Sequence, residues 1–459
     1  MKLFSHHSQT AKLLTEGKPS KVLVSFAMPI FLSQLFQQLY NTADSFIVGN
    51  YLGKEALAAV NSSGSLIYLL ISFFVGASMG AGVVISRYFG AGDQDRVSKA
   101  VHTNAVFSLI CGVVLSVFGV TMTPHIVRWM GVPEDVLPNS VEYLRYYFIG
   151  CVPVVMYNSM KGIMNAVGDS RRPLYYLIVS SVLNVILDWL FVGVFGLGVA
   201  WAAIATVISQ TVSAILCLIQ LTRKGTVYRL EWKNLRMDAQ SLKEIVKYGL
   251  PTGVQNSVIG FANVLVQTNI NSFGSLAMAA CGAYSRIEGF VFLPIMSMSM
   301  ALTSYIGQNL GAKEYERAKQ GARFGILTSV AMAELIGILL FFFGGVFISA
   351  FIRDADPEAV TEIIAIGARQ CRVESLFFFL LAFSHAVAGI CRGAGKAIVP
   401  MLIMLLVWCV IRIIYITVAM SIRHEIILLF AAYPLTWFIS SVIYFIYYKK
   451  SNWVHGFES

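Results

Sequence analysis

Twelve predominantly apolar runs partition the chain, at about 21–48, 57–86, 103–130, 140–166, 173–196, 199–222, 245–273, 276–308, 322–352, 362–391, 398–421 and 425–448. Each exceeds the roughly 20 residues that an α-helix needs to cross a bilayer. In hydrocarbon, every backbone amide must find its partner inside the protein, so only helices and closed barrels span a membrane. Runs of this length are far too long for barrel strands of about ten residues. The pattern predicts an all-α integral membrane protein with twelve transmembrane helices. Composition agrees: 57% of the 459 residues are hydrophobic and 13% charged, against about 25% charged in soluble domains. A disordered chain, a soluble enzyme and a nucleic-acid binder are excluded on this ground.

The basic residues carry topology. One set of loops and ends holds 24 Lys and Arg, from Lys2 and Lys12 through Arg87, Arg171 and the seven in 223–247 to Lys450, and the other side holds 7. The bias predicts that the first side is cytoplasmic and that both termini lie inside. The formal charge of +10 is thereby a topology signal, not a sign of a nucleic-acid partner. Residues 1–20 are polar and carry no apolar core, so no cleavable signal peptide is expected and the first helix serves as the insertion signal. The seven cysteines are scattered with no CxxC and read as small hydrophobes. The expected organisation is a cytoplasmic tail (1–20), an N-lobe of helices 1–6 (21–222), a cytoplasmic linker (223–244), a C-lobe of helices 7–12 (245–448) and a cytoplasmic tail (449–459).

The two halves repeat. FGAGDQDRVSKA (89–100) aligns with LGAKEYERAKQG (310–321), and GIMNAVGDSRRP (162–173) with GICRGAGKAIVP (389–400). Pro29 and Gly53 recur as Pro251 and Gly274. Six helices per copy is an even number, so both copies share one orientation. Their pseudo-two-fold axis then runs along the membrane normal, with a cleft expected between the lobes.

An ionisable group inside a membrane is a functional candidate, because a charge at a helix centre costs about 2.5–3.5 kcal/mol on insertion scales. The candidates are Asp44, Lys161, Asp188, Arg286, Glu288, Glu334, His385 and Arg412. Asp44 precedes Gly53 by nine residues and Asp188 precedes Gly196 by eight, which puts both about 12–13 Å from the outer helix ends. Asn184 shares a helix face with Asp188, and Tyr40 with Asp44. Asn158 and Thr206 lie in the fourth and sixth helices. Two carboxylates with amide and hydroxyl oxygens form a hard-oxygen set. Asp44, Asn184 and Asp188 could hold a dehydrated Na+, or one carboxylate could carry a proton; the oxygens alone do not separate H+ from Na+. The bland alternative is polar groups gluing helices together. Under the repeat offset Asn158 falls on His385, Asn184 on Ile411 and Asp188 on Tyr415, so the oxygen set belongs to the first lobe alone. Arg286, Glu334 and Arg412 read as structural pairs. Polar residues of the first and seventh helices (Gln37, Tyr40, Asn41; Gln255, Asn256), with Met296 of the eighth, are expected to line a water-accessible substrate cleft.

ADSFIVGNYLG (43–53), GAGDQDR (90–96), NAVGDSRRP (165–173), LNVILDWLFV (183–192), GLGVAWAAIAT (196–206) and IGQNLGAKE (306–314), in this order, resemble the multidrug and toxic compound extrusion (MATE) family, closest to its DinF-like branch. The resemblance covers about 21–448. It implies two six-helix lobes and a secondary antiporter that exports organic, mostly cationic and amphipathic compounds in exchange for Na+ or H+ by alternating access. It also implies a cation-coupling set of Asp44, Asn158, Asn184, Asp188 and Thr206. The NorM-like branch places further carboxylates in the seventh and tenth helices. Here TGVQNSVIGF and LLAFSHAVAGI carry none, which favours coupling through the first lobe.

The competing expectation is a lipid-linked oligosaccharide flippase of the same superfamily. Its pyrophosphate cargo needs clustered cations, and only Lys161, Arg286 and Arg412 are available. No catalytic constellation is present, so no enzyme activity and no cofactor beyond the coupling ion is expected. The expected partners are small-molecule substrates and membrane lipid, with the chain a monomer in the inner membrane.

Overall fold

A computed structural model describes residues 13–457 apart from 130, 131, 133, 135 and 353–355. The topology residues Lys2, Lys12 and Arg353 and most of the 1–20 tail fall outside the described residues. The described residues form helices and no strand. The first half comprises α1 (Pro19–Tyr51), α2 (Gly53–Gly90), α3 (Gln94–Trp129), α4 in two segments (Leu137–Ile149 and Cys151–Ala166), α5 (Arg171–Asp188, continued by a π-helical turn, Trp189–Val194) and α6 (Val199–Thr222). The second comprises α7 (Ala239–Asn271), α8 (Ser275–Gly311), α9 (Tyr315–Ser349), α10 (Pro357–Glu374 and Phe378–Gly393, joined by a 3-10 turn at Ser375–Phe377), α11 (Ile398–Met404, a π-helical turn at Leu405–Ile411, then Arg412–Ile422) and α12 (Ile426–Lys450). In both halves the fourth helix breaks midway and the fifth carries a π-helical turn.

Ten of these rods are long and apolar enough by composition to cross a membrane. The other two are α4, which Gly150 divides into segments of 13 and 16 residues, and α7, which is rich in Gln, Asn, Ser and Thr. α7 takes up the chain at Ala239, inside the stretch that reads from sequence as linker.

The matched glycines mark turns of the same geometry. Gly53 and Gly274 have φ of +84° and +89°, and Gly168 and Gly395 +82° and +74°, a region that costs glycine little. At the turn after α2, Gly92 has φ +73°, and its repeat equivalent after α8 is Lys313 at +61°. The backbone of the repeat is kept there without the glycine.

The chain divides into two compact units, one built mainly of Met28–Gly253 with Gly311–Lys313, the other of Glu16–Ala27, Val254–Leu310 and Glu314–Ser459. Two of the seams inside helices fall near a proline, just before Pro29 in α1 and just after Pro251 in α7; a third separates Leu310 from Gly311 at the end of α8. Proline removes one helical hydrogen bond and weakens a rod at that point.

In the first unit, the first half of α7 lies on α2 through paired glycines. A Cβ on Gly76 would stand 2.4 Å from the Gly253 nitrogen, and one on Gly80 2.3 Å from the Gly249 nitrogen. Small residues four apart on both helices let two backbones touch, as in membrane helix packing generally. The linker is stapled to the same unit. His102 Nε2 accepts from the Glu231 amide at 2.9 Å, and Thr103 Oγ1 from the Asp238 amide at 3.0 Å. The Tyr88 hydroxyl donates to Glu244 at 2.8 Å. Asp238 caps α7 by accepting from the Ser241 amide and hydroxyl, both at 2.8 Å, and these bonds hold its carboxyl below the usual range. In the GDSRRP motif, Asp169 pairs with Arg172 and accepts from the Tyr228 hydroxyl of the linker, both at 3.4 Å. Burial pushes the Asp169 carboxyl up. The motif is thus a fastening between the α4–α5 turn and the linker.

Candidate functional site

Three helices of the first unit each contribute a pair of polar residues four apart: Tyr40 and Asp44 from α1, Asn184 and Asp188 from α5, Thr206 and Gln210 from α6. Residues at this spacing lie one above the other on a helix face. Two hydrogen bonds close the arrangement. Gln210 Nε2 donates to the Tyr40 hydroxyl at 3.2 Å, and Asn184 Nδ2 to Thr206 Oγ1 at 3.4 Å. α6 is therefore the rung joining α1 to α5. Asp44, Asp188, Asn184 and Gln210 are all buried, Asp188 and Asn184 almost completely.

Five buried oxygens in this ring have no hydrogen-bond partner: Asp44 Oδ1, both Asp188 carboxylate oxygens, Asn184 Oδ1 and Gln210 Oε1. All are acceptors. Three donors of the ring are engaged elsewhere: the Thr206 hydroxyl donates to the Ala202 carbonyl at 3.2 Å, and the Asn184 and Gln210 amides donate to Thr206 and Tyr40. The two aspartates lie close enough to feel each other's charge, and both act on Tyr143 of α4. No ion pair relieves either one among the described residues. Orphaned buried acceptors are costly, and two neighbouring carboxylates without a counter-charge are costlier still. A dehydrated cation or a proton is what such a set accepts. A small cation such as Na+ fits the donor chemistry, which is oxygen throughout. Immediately after Asp188, α5 widens into its π-helical turn, a distortion that recurs at functional sites.

The sequence candidates divide. Asp44, Asn184, Asp188, Thr206 and Tyr40 are brought together. Gln37 joins them through Tyr40, whose hydroxyl it approaches. Asn158 is half-buried on α4, its amide donating to the Val154 carbonyl at 2.9 Å, and no hydrogen bond ties it to the ring among the described residues. Asn41 is exposed. In the second unit Gln255 is buried with its amide on Met404 Sδ at 2.7 Å, while Asn256 and Met296 are half-buried. Gln210 is a member that sequence reasoning missed; its one signal is that it follows Thr206 by four.

The remaining charged candidates are also placed. Glu334 does not pair with Arg286 or Arg412, contrary to expectation. It meets the backbone amide of Phe379, where α10 resumes after its break and an amide needs an acceptor. Arg286 is exposed. Arg412 is buried and donates to Thr436 Oγ1 at 2.8 Å. His385 packs edge-on between Phe292 and Trp408 with its Nε2 unpartnered. Glu374 of α10, fully buried in the second unit, was not among the candidates, and Arg392, counted from sequence with the basic residues of the cytoplasmic side, is buried with a hydrogen bond to Ser299 Oγ at 2.9 Å. The seven cysteines are free thiols.

The MatE family model matches residues 29–190 and again 251–418, once for each half of the repeat. The "Probable multidrug resistance protein YoeA" of Bacillus subtilis (strain 168) is 28% identical over 95% of this chain and 95% of its own length. The "Probable multidrug resistance protein NorM" of Thermotoga maritima is 27% identical over 83% of this chain and 82% of its own. A solved structure described as an outward-facing conformation of a multidrug resistance MATE family transporter of the MOP superfamily superposes with a TM-score of 0.90, covering 99% of this chain and 100% of that one at 21% identity. That likeness establishes the fold: two six-helix lobes, twelve helices across a membrane.

Proposed function

Since the chain belongs to the MATE family of membrane transporters, we propose that it is a secondary antiporter that exports organic, cationic and amphipathic compounds in exchange for Na+ or H+. The observation that carries the exchange is the ring of five unpartnered buried acceptors around Asp44 and Asp188. Entry of the coupling ion neutralises the carboxylate pair and stabilises the loaded lobe. Cargo binding favours the ion-free state, and each ligand weakens the other by the same factor, as linkage requires. Alternating access then converts the ion gradient into cargo export, because each ligand prefers a different state.

In this reading Asp44 and Asp188 carry the charge, Asn184 and Gln210 supply neutral oxygens, and Thr206 and Tyr40 hold those two amides in place. Asn158 contributes from α4 when the site is loaded. Gln37, Asn41, Gln255, Asn256 and Met296 face the cargo. The protein works as a monomer in the inner membrane with both termini in the cytoplasm, the side that the basic residues mark. A lipid pyrophosphate cargo is not favoured, since Arg412 is committed to Thr436 and no cluster of buried cations exists among the described residues.

Efflux of ethidium from proteoliposomes under separately imposed Na+ and pH gradients tests the proposal. One gradient should drive efflux in the wild type and neither in Asp188→Asn. Gradient-driven efflux that survives in a well-folded Asp188→Asn would refute it.

A further inference from the structure

The second unit holds a buried charged cluster that the exchange mechanism leaves unused. Tyr284 of α8 donates its hydroxyl to Glu374 Oε2 of α10 at 2.9 Å, and Gln370 Nε2 donates to Glu374 Oε1 at 2.9 Å. Both oxygens of Glu374 are acceptors. Glu288 stands four residues after Tyr284 on α8, half-buried, and interacts electrostatically with Glu374 and with Arg412 of α11. Arg412 gives its Nε and Nη2 to Thr436 Oγ1 at 3.3 and 2.8 Å and lies 4.4 Å over the Tyr433 ring. No ion pair within 4.0 Å joins it to either glutamate among the described residues. Two carboxyl groups thus lie within electrostatic reach of one guanidinium that bonds to neither.

Two further observations point to a ligand. Gln370 is 4% exposed, and its Oε1 has no partner although its amide nitrogen reaches Glu374. Under the repeat, two members of the cluster fall beside the first unit's site. The offset of 227 residues that matches Gly168 to Gly395 carries Glu374 onto Tyr147 and Arg412 onto Val185. Tyr147 lies within electrostatic reach of Tyr40, and Val185 is the neighbour of Asn184. Glu374 ends the first segment of α10 at the 3-10 break, the kind of interruption that frees a helix to meet a ligand.

The two sites differ in what they offer. The ring around Asp188 presents five unpartnered acceptors, all oxygen, a coordination shell for a bare cation. Around Glu374 both carboxylate oxygens already accept from neutral donors, so the cluster offers charge but little coordination. Its resident cation is planar and organic and rests on an aromatic ring, which is how proteins hold delocalised or alkylated cations.

We propose that Glu288 and Glu374 bind the cationic group of the cargo, an organic ammonium. This rests on the reading of the chain as an exporter of organic cations, and it gives the two units separate tasks, the coupling ion in the first and the cargo's charge in the second. Arg412 sets the capacity at one positive charge.

The test uses purified full-length protein in detergent without a gradient, with ethidium binding read by fluorescence polarisation and uncharged phenanthridine as the neutral probe. Glu288→Gln should weaken ethidium by about tenfold or more, the scale of losing a buried charge partner, and leave phenanthridine unchanged. Arg412→Met should tighten ethidium, because it removes a competing positive charge, whereas a merely structural cluster would lose affinity for both probes. Unchanged ethidium affinity in a stably folded Glu288→Gln overturns the proposal. So does loss of 22Na+ binding in that variant with ethidium intact, which would assign the cluster to an inorganic ion. Wild-type efflux from proteoliposomes separates the two readings. Its absence sinks the exporter, whereas efflux with unaltered affinity in Glu288→Gln sinks only this site.

Discussion

Gln210 of α6 donates to the hydroxyl of Tyr40 of α1 across 3.2 Å, one helical turn from Asp44. The bond fixes the face that α1 turns toward α5 and so sets how Asp44 meets Asp188. Gln210→Ala should cost about 1–3 kcal/mol, the usual result of leaving a buried polar group without its partner. Tyr40→Phe strands the Gln210 amide and should cost a similar amount. Thermal unfolding of the two single variants and the double variant checks this. The double should be less destabilised than the sum, with a coupling of about 0.5–1.5 kcal/mol.

The glycine contact between α2 and α7 gives a sharper stability test. Gly80→Val places atoms where the Gly249 backbone stands, 2.3 Å from the would-be Cβ, so the helices must separate. A loss of several kcal/mol and poor yield of folded protein are expected. Gly282→Ala on α8 is the control: nothing lies within 4 Å of its Cβ position, and a helical alanine should stabilise by about 0.5–1 kcal/mol. Fluorescence-detected size exclusion after heating separates the two outcomes.

Lys313 keeps a left-handed backbone, φ +61°, where its repeat partner Gly92 has +73°. A side chain there carries a strain that glycine avoids. Lys313→Gly should therefore raise the unfolding midpoint, by a gain of up to about 1 kcal/mol, while Gly92→Lys lowers it.

Asp238 caps α7 through Ser241, and those bonds lower its carboxyl pKa. A group depressed on folding contributes stability above its unfolded pKa, near 3.9, and loses it as pH falls through the folded value. Asp238→Ala should cost about 1 kcal/mol at neutral pH, and the difference from wild type should fade on acidification below pH about 4. Unfolding midpoints measured across pH 3–7 check both parts.

The fold was readable because its determinants are local. Long apolar runs imply helices, and glycines such as Gly53, Gly168, Gly274 and Gly395 mark the turns that the repeat preserves. Asp44 and Asp188 were legible because a carboxylate in an apolar run has few reasons to be there. Gln210 was not, since a single neutral amide among alanines and serines of α6 carries no such cost, and its role depends on Tyr40, 170 residues away. Glu374 was missed for another reason. It lies in the half of α10 that also carries Arg369 and Arg372, and those charges read as the rim of the membrane. In the structure the arginines face outward, while Gln370 and Glu374 turn inward at a spacing of four. The pairing assigned to Glu334 failed because a helix break, which leaves an amide in need of an acceptor, has no signature in side-chain charge.

In the proposed exchange, cargo and coupling ion exclude one another through Asp44 and Asp188. The most direct measurement is ion release on cargo binding: ethidium is added to purified protein in weakly buffered solution preloaded with 22Na+, while freed Na+ and the pH are followed together. One of the two ions should appear in proportion to bound ethidium, and this release should disappear in Asp188→Asn and in Asp44→Asn. Ethidium binding with neither ion released, or with full release in both variants, would contradict it.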